Sequence, residues 1–395
     1  MITLQEKIQT ILDVAVENKE AAGINALIIH QDEEIAYCQS GHADIAKQIP
    51  YRRDTIFRMY SMTKPVTGAA AMLLMARGQL DLGTSVSEFL PGFSDIKVHS
   101  NGGFEEPRRD VKVADLLSMT SGIPYPGTLE DQASQQVGEV FAKLQSELPG
   151  NSGMDTETFA NRLGECGLSF HPGEHWMYGA SADVLGAIIE QVSGMKFGEF
   201  LKKEFFDPLG MYDTGFFVPD NKQKRLAKVY QNINNMMQEE ITSHLGILYD
   251  QRQAPKFESG GAGLFSTLDD FAKFAAMLLS GGIYAGKKYY HPATVQYFIN
   301  AELQPWLLKD YYNRFDTLSG FSYGNLMRTM KSPAQSRMIV SKGEYGWDGW
   351  LGAYFANCPE DSLTILLSMQ RVDAGTMPVT RKVRNLVLST LGKTI

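Results

Sequence analysis

The N-terminal stretch carries apolar residues first at helical and then at strand spacing. In residues 1–23 the apolar side chains fall on one face of a helix, which predicts an amphipathic helix. Two short apolar runs follow at residues 24–30 and 34–38, and a polar turn separates them. Apolar runs joined by such a turn predict a β-hairpin. The chain therefore opens with a helix and a hairpin.

The C-terminal part has a similar mixture of helices and strands. Residues 268–279 carry a strong helical pattern, and residues 352–356 and 363–369 predict a pair of strands. A closing amphipathic helix is predicted at residues 378–391. We therefore expect an α/β layer to which both ends of the chain contribute.

The middle of the chain follows mostly helical spacing, with long connections. Helices are predicted at residues 113–119, 156–163 and 181–192, and the polar segment 127–153 predicts a surface helix with loops. Residues 197–206 lead into a predicted turn at residues 207–211. We infer that a helical lobe is inserted between the two ends of the sheet.

The most uniformly apolar helix is predicted at residues 61–78. Its middle is small and apolar on all sides, which is typical of a helix buried inside a protein. Lys64 lies one turn beyond Ser61 on the same face, so its amine can reach the hydroxyl. The first turn of a helix also leaves backbone N–H groups free around that hydroxyl. This arrangement fits an activated nucleophile.

The spacing Ser-x-x-Lys is a weak signal by itself. It recurs at Ser94/Lys97 and Ser193/Lys196, and neither pair opens a buried helix. The sequence has no Gly-x-Ser-x-Gly elbow, which argues against the α/β-hydrolase arrangement. It also lacks the His-Glu-x-x-His and paired-cysteine spacings of metal sites. We therefore expect neither a metal nor another cofactor.

Composition and charge narrow the class of partner. The 395 residues are 44% hydrophobic and 21% charged, as in an ordinary soluble globular protein. The net charge of −8 argues against binding to nucleic acid or to an anionic membrane surface. No apolar run approaches the ~18 residues of a membrane span, and no signal peptide is visible. Cys38, Cys166 and Cys358 predict buried free thiols, so we expect a cytoplasmic location.

Two further stretches allow both a structural and a catalytic interpretation. Tyr178 follows a Pro-Gly turn and precedes a predicted helix, where it fits a core tyrosine. It also fits a base, because a neighbouring ammonium can lower the pKa of a phenol. Segment 343–352 has four glycines before a strand, which fits a hairpin end with aromatic packing. It also fits an edge strand that presents an N–H group to a substrate oxygen.

Taken together, these stretches resemble the serine β-lactamase and penicillin-binding-protein superfamily, and in particular its class C-like esterase branch, the family VIII carboxylesterases. The resemblance covers nearly the whole chain. It rests on five landmarks in family order, which are Ser61-Met62-Thr63-Lys64, residues 113–122, Pro172-Gly173 through Tyr178, residues 260–267, and Trp347-Asp348-Gly349.

The resemblance implies an α+β fold of the β-lactamase/transpeptidase type. An antiparallel sheet flanked by helices is expected from residues 1–57 and 258–395. An inserted, all-helical domain is expected at residues 58–257, with the active site in the cleft between the two domains.

The resemblance also implies roles for the site residues. Ser61 would be the nucleophile, and Lys64 would help to deprotonate it. Tyr178 would be the partner base, which passes the proton to the leaving group and later activates water. The backbone N–H groups of Ser61 and Trp350 would form the oxyanion hole.

Two departures from the β-lactamase pattern bear on the substrate. Tyr178-Gly179-Ala180 lacks the asparagine of Tyr-x-Asn, and Trp347 and Asp348 stand where that branch has Lys-Thr-Gly. An aromatic ring replaces the cation, and Asp348 would repel an anion, so we expect poor binding of β-lactams and D-Ala-D-Ala. Trp-x-Gly is similar to the family's short-acyl esterases. The candidate substrate-binding residues are Tyr60, Tyr125, Trp176, Trp347, Asp348, Gly349 and Trp350, although each aromatic also fits the core.

The sequence thus predicts a serine hydrolase that cleaves short-acyl carboxylic esters through an acyl-enzyme. The alternatives are a β-lactamase or D-amino-acid peptidase of the same fold, an acyltransferase, and a non-catalytic scaffold. The presence of Ser61, Lys64 and Tyr178 disfavours the scaffold. The expected partner is a small-molecule ester, or a β-lactam or D-peptide under the second hypothesis, and the sequence specifies no oligomeric state.

Overall fold

Strands from both ends of the chain pair into one antiparallel sheet of eight strands. The computed structural model describes residues 2–100, 103–148 and 153–393. Its strands are β1 (Gly23–His30), β2 (Glu33–Asp44), β3 (Ile49–Pro50), β4 (Phe57–Arg58), β5 (Val98–Ser100), β6 (Gly103–Glu105), β7 (Tyr230–Ile233), β8 (Met236–Glu239), β9 (Phe265–Ser266), β10 (Ile283–Tyr284), β11 (Lys287–Lys288), β12 (Phe321–Gly324), β13 (Met327–Met330), β14 (Tyr345–Asp348), β15 (Tyr354–Cys358) and β16 (Leu363–Met369). The order in the sheet is β12-β13-β14-β15-β16-β1-β2-β3, so the last long strand lies beside the first.

The helices lie on the faces of this sheet and in the segment between its two halves. They are α1 (Leu4–Glu17), α2 (Lys64–Ala76), α3 (Val113–Ser118), α4 (Gln132–Glu147), α5 (Thr156–Glu165), α6 (Ser181–Ser193), α7 (Phe197–Leu201), α8 (Asp207–Leu209), α9 (Leu268–Leu279), α10 (Pro292–Ile299), α11 (Leu308–Arg314) and α12 (Pro378–Leu391). In the described ranges, no helix is both long enough and apolar enough to cross a bilayer.

The central strand β16 shows why the sheet is covered on both faces. Its seven residues are all buried. Successive side chains point to opposite faces of a strand. Ile365 and Leu367 therefore pack with Leu12 of α1 and Val383 of α12, whereas Leu366 packs in the larger core on the other face. The α+β fold, the hairpin and the paired C-terminal strands that the sequence predicted are confirmed.

The inserted segment is mainly helical, but it is not all-helical as predicted. Two short hairpins, β5–β6 and β7–β8, interrupt its helices. Their strands have only three or four residues each, too few to show a clear alternation. The polar segment 127–153 contains α4, and its residues 149–152 lie outside the described ranges. The domain boundaries at 57/58 and 257/258 remain a prediction.

The helix predicted at residues 61–78 forms the centre of the larger core. It begins with a 3₁₀ turn at Tyr60–Thr63 and continues as α2 to Ala76, two residues before Gly78, whose φ is +69°. Every residue from Lys64 to Leu74 is buried. A Cβ on Gly68 would lie 2.7 Å from the Asn325 carbonyl oxygen, so glycine allows close packing there. The interior position of α2 thus follows from its small and apolar residues.

Strand β14 corrects one prediction, because it is not an edge strand. It lies inside the sheet between β13 and β15. Its pairing with β13, however, involves only Tyr345 and Gly346. Trp347 and Asp348 pair with β15 alone, so the strand has a local edge at its C-terminal end. A pattern read along one strand cannot show which strands will join on either side.

Candidate active site

The Lys64 amine lies beside the Ser61 hydroxyl, as the Ser-x-x-Lys spacing predicts. The 3₁₀ turn places Ser61 just before α2, and Lys64 Nζ is 3.1 Å from Ser61 Oγ. The same nitrogen donates to Tyr125 Oη at 3.2 Å and to the Gly261 carbonyl at 2.9 Å. Lys64 has no exposed surface. These three hydrogen-bond partners therefore fix the position of the buried Lys64 amine.

Burial changes the protonation of this amine. It lowers the pKa of Lys64 from the ordinary 10.5 to about 7, because water no longer solvates the ammonium. The carboxylates of Asp183 and Asp348 oppose this effect by attraction. Near neutral pH the amine is thus available as a proton acceptor for Ser61.

A buried carboxylate organises the turn that faces the amine. Asp183, at the start of α6, is 2% exposed. It accepts hydrogen bonds from Ser259 Oγ and from the Gly261 N–H, the latter at 3.1 Å. A Cβ on Gly261 would lie 2.7 Å from Tyr125 Oη and 2.9 Å from Asp183 Oδ2. Only glycine fits between these groups without displacing them.

Tyr178 lies on the other side of Ser61. Its hydroxyl accepts a hydrogen bond from Trp347 Nε1 at 2.9 Å. The Ser61 side chain acts on the same hydroxyl and lowers the pKa of Tyr178. Lys64 Nζ lies 4.6 Å from the centre of its ring. Burial raises the pKa of Tyr178 well above its usual range. The lowered phenol pKa that the sequence interpretation invoked is therefore wrong for this structure, and Tyr178 is a neutral phenol.

The two predicted oxyanion donors are brought together by a close approach of two backbones. A Cβ on Gly349 would lie 2.2 Å from the Met59 carbonyl oxygen, so glycine lets the end of β14 reach the residues before Ser61. In the described part of the chain, neither the Ser61 N–H nor the Trp350 N–H donates a backbone hydrogen bond. Both residues line one cavity. Two free donors at one cavity are what an oxyanion hole requires.

Tyr60, immediately before Ser61, has an unusual backbone. Its φ is +46°, a left-handed value that non-glycine residues seldom adopt. The side chain is fully buried, and its ring packs edge-on against Trp350 at 5.1 Å. Strained residues of this kind persist where the surrounding packing fixes them, and they cluster at functional sites.

The cavity has a volume of about 700 Å³, and some of the predicted substrate-binding residues line it. Tyr60, Tyr125 and Trp350 line it, together with Phe141 and Tyr178. Trp176, Trp347, Asp348 and Gly349 are not part of its wall.

The two tryptophans of this set pack against Tyr178. Trp347 is 1% and Trp176 4% exposed, and their rings pack against Tyr178 at 5.6 and 6.2 Å. Asp348 accepts a hydrogen bond from Thr376 Oγ1. Their contacts with a substrate remain a prediction.

Several residues at the site were missed by the sequence interpretation. They are Asp183, Ser259 and Gly261 on the buried side, and His244, Arg314 and Asp373 at the cavity. An acidic residue in the first turn of a helix is ordinary, so Asp183 gave no signal.

The other Ser-x-x-Lys pairs are not comparable sites. Lys97 forms an ion pair with Glu106, and Lys196 lies 3.5 Å from Glu190.

The Beta-lactamase family model matches residues 8–388. The chain belongs to the β-lactamase family. This serine hydrolase is 28% identical over 338 residues to Protein Rv1367c of Mycobacterium tuberculosis, across 84% of this chain and 81% of the relative. It is 29% identical over 285 residues to Esterase EstB of Burkholderia gladioli, across 68% of both chains.

A solved structure has the same fold over almost the whole length. It is that of EstCE1, a hydrolase with promiscuous acyltransferase activity, with a TM-score of 0.77 and 22% identity. The superposition covers 99% of this chain and 98% of EstCE1. At this identity the likeness concerns the fold of the β-lactamase family member, and its reaction must be argued from the site.

Proposed function

We propose that the protein hydrolyses short-acyl carboxylic esters through a covalent acyl-enzyme on Ser61. The observation that carries the ester assignment is the Trp347 indole, whose N–H donates to Tyr178 Oη at 2.9 Å. In the β-lactamase pattern a lysine that helps to hold a carboxylate stands at this position. Here a buried aromatic ring supports the tyrosine instead. The similarity to Esterase EstB supports the same class of substrate.

Acylation begins with proton transfer from Ser61 Oγ to the neutral Lys64 amine, 3.1 Å away. The oxygen attacks the ester carbonyl, and the oxyanion accepts hydrogen bonds from the Ser61 and Trp350 N–H groups. The C–O bond to the alcohol breaks, and Tyr178, a neutral phenol because burial raises its pKa, donates its proton to the departing alkoxide. The proton on Lys64 then restores the phenol. The products of this half-reaction are the alcohol and the Ser61 ester.

Deacylation repeats these steps with water in place of the alcohol. Water loses a proton to the neutral Lys64 amine and attacks the acyl carbonyl, while the same two N–H groups hold the oxyanion. The C–O bond to Ser61 breaks, and Ser61 Oγ recovers the proton from Lys64 Nζ, 3.1 Å away. The net reaction consumes one water and releases the carboxylic acid.

The central test is hydrolysis of p-nitrophenyl butyrate by Ser61→Ala. Loss of the nucleophile should lower kcat/KM by roughly 10⁴-fold or more, as in other serine hydrolases. Labelling by a fluorophosphonate probe should disappear as well. Ser94→Ala, which alters another Ser-x-x-Lys, is the matched control and should keep full activity. Undiminished hydrolysis by Ser61→Ala would refute the proposal, and absence of labelling in the wild type would favour a non-catalytic scaffold.

Acyl transfer is a second candidate, because the cavity of about 700 Å³ is much larger than a butyryl group. Such a volume leaves room for an acceptor alcohol beside the acyl-enzyme. Adding alcohols during turnover should reveal it as a new ester product at the expense of free acid. Rapid turnover of a chromogenic cephalosporin would instead favour a β-lactamase, and cleavage of D-amino-acid peptides a peptidase.

A further inference from the structure

Arg314 is a cation at the cavity that contains Ser61. It is the last residue of α11, it is exposed, and it lines the cavity. Within residues 2–100, 103–148 and 153–393 it has no ion pair. Asp310, one helical turn earlier, interacts elsewhere. Its Oδ2 lies 3.0 Å from His175 Nδ1 and accepts the Trp176 N–H at 3.2 Å.

The Arg314 guanidinium is nevertheless anchored. Its Cζ lies 5.4 Å from the centre of the Phe315 ring. Phe315 in turn packs edge-on against Tyr178 at 5.7 Å and against Trp347 at 5.8 Å. A guanidinium stacked on an aromatic ring loses less freedom when it binds an anion than a free side chain does. The positive charge thus has a defined place beside the catalytic tyrosine.

The acidic groups near the cavity do not compete for this cation. Asp348, which the sequence suggested would repel an anion, is half-buried and accepts a hydrogen bond from Thr376 outside the cavity wall. Asp373 does line the cavity, but it accepts the Trp350 Nε1–H at 2.6 Å. A bound anion would therefore be attracted to the α11 side of the cavity.

We propose that Arg314 binds a carboxylate of the substrate, so that the preferred esters carry a free carboxylate in addition to the ester bond. This inference rests on the proposed esterase function and names its substrate class. Arginine suits the task because its planar fork donates two parallel hydrogen bonds to a carboxylate. Recognition would come from α11 and not from strand β14, where Trp347 replaces the cation.

The test compares matched p-nitrophenyl esters of butyrate and of glutarate, the second with a free carboxylate on its acyl chain. A butyrate ester of 4-hydroxybenzoate places the carboxylate on the alcohol side. Arg314→Gln should lower kcat/KM about 10- to 100-fold for one of the two carboxylate esters, which identifies the side. It should change hydrolysis of the neutral ester less than about threefold. Arg337→Gln, at an exposed arginine outside the cavity wall, is the control.

The neutral ester separates the two proposals. If the wild type hydrolyses the neutral ester, the esterase function is supported whatever the result for Arg314→Gln. Equal losses on neutral and charged esters, or no loss on either charged ester, would overturn the carboxylate proposal. Raising the salt concentration should reduce the wild-type preference for the charged ester and leave that of Arg314→Gln unchanged.

The buried side of the site carries an independent inference. Asp183 does not touch the Ser61 side chain, yet it binds the turn whose Gly261 carbonyl accepts from Lys64 Nζ. The neighbouring Gly260 carbonyl accepts from Thr67 Oγ1 of α2 at 2.6 Å, which fixes the same turn to the catalytic helix. We infer that Asp183 is a positioning residue that holds the Lys64 amine against Ser61 through this turn.

The charged and titratable groups that face Lys64 are Asp183, Asp348, Tyr125 and Tyr178. Asp183 and Asp348 are the two that raise the pKa of Lys64 against the effect of burial. Replacing Asp183 by asparagine keeps its size and removes one of these charges. The pKa of Lys64 should fall, and the acidic limb of the pH–kcat/KM profile should move to lower pH. A purely structural role would lower activity by the same factor at every pH.

The experiment measures complete pH profiles for the wild type, Asp183→Asn and Ser259→Ala with the neutral ester. We expect Asp183→Asn to lower kcat about 10- to 100-fold and to shift the acidic limb. Ser259→Ala removes one hydrogen bond to the carboxylate and keeps its charge, so it should lower kcat with a smaller shift. If Asp183→Asn does not fold, Ser259→Ala still tests whether the Asp183 carboxylate positions the turn. An unshifted limb in a folded Asp183→Asn protein, or wild-type kcat in both variants, would overturn the inference.

Discussion

The two sides of Ser61 differ in burial and in the partners of their polar groups. On the inner side, Lys64, Asp183 and Trp347 are at most 2% exposed, and each is hydrogen-bonded within the chain. On the cavity side, Arg314 and Asp373 are exposed. Groups fixed by packing keep one geometry for every substrate, whereas groups at an open cavity can select among substrates. We therefore expect inner substitutions to affect all esters and outer substitutions to change their ranking.

The largest expected effect on the inner side is that of Lys64→Met. It removes the proton acceptor beside Ser61 and retains an unbranched apolar chain in the buried space. Loss of a general base typically costs about 10²–10⁴-fold, so kcat should fall by that factor for neutral and charged esters alike. Stopped-flow acylation measures this directly. If the factor differed strongly between the esters, the division between the two sides would be wrong.

Gly349→Ala should have the next largest effect. Its Cβ would meet the Met59 carbonyl at 2.2 Å, so β14 must move away from the residues before Ser61. The Trp350 N–H then moves with it, and loss of one oxyanion donor costs about 10²–10³-fold in kcat. Gly83→Ala is a suitable control, since its nearest neighbour would be an Asp81 side-chain atom at 3.4 Å. A Gly349→Ala enzyme with normal kcat would show that Trp350 is not a donor.

Trp347→Phe should have a smaller effect. The ring remains to pack against Tyr178, but the indole N–H that donates to Tyr178 Oη is lost. One neutral hydrogen bond is worth about 1 kcal/mol, so we expect kcat to fall about fivefold for all esters. Trp306→Phe, at a tryptophan that is 65% exposed, should leave kcat unchanged. A selective loss on one ester would instead place Trp347 in contact with the substrate.

The sequence predicted the local features of the site better than its long-range contacts, for a physical reason. Ser61 and Lys64 are close because helical spacing is local, and the interior position of α2 follows from its small apolar residues. The sheet built from both ends followed from strand patterns at each end. These features depend on neighbours in sequence, or on a family pattern spread over the chain.

What the sequence did not predict depends on distant segments that meet in space. Asp183 and Gly261 are 78 positions apart, and only the folded chain shows their hydrogen bond. Trp347 and Trp176 are aromatic residues that fit a pocket equally well from sequence, but packing places both behind Tyr178. The same limitation applies to Tyr178, whose pKa depends on how deeply the fold buries it. Burial and long-range contacts are thus the missing information.

The last expected effect is on stability and not on rate, and it separates the protonation of Lys64 from its role in catalysis. The pKa of Lys64 is about 7 in the folded protein and 10.5 ordinarily, so between these values the unfolded chain binds more protons. The contribution of Lys64 to the free energy of unfolding should therefore increase with pH from about 7 to 10.5, by at most about 1.4 kcal/mol per pH unit. Lys64→Met lacks this dependence.

Urea denaturation of the wild type and Lys64→Met at several pH values measures the difference between them. The variant should be the more stable protein at pH 7, and its advantage should shrink as the pH approaches 10.5. A constant difference would mean that the lysine keeps its ordinary pKa in the folded state. The amine would then be an ammonium at neutral pH, and the inner side of the site would lack its proton acceptor.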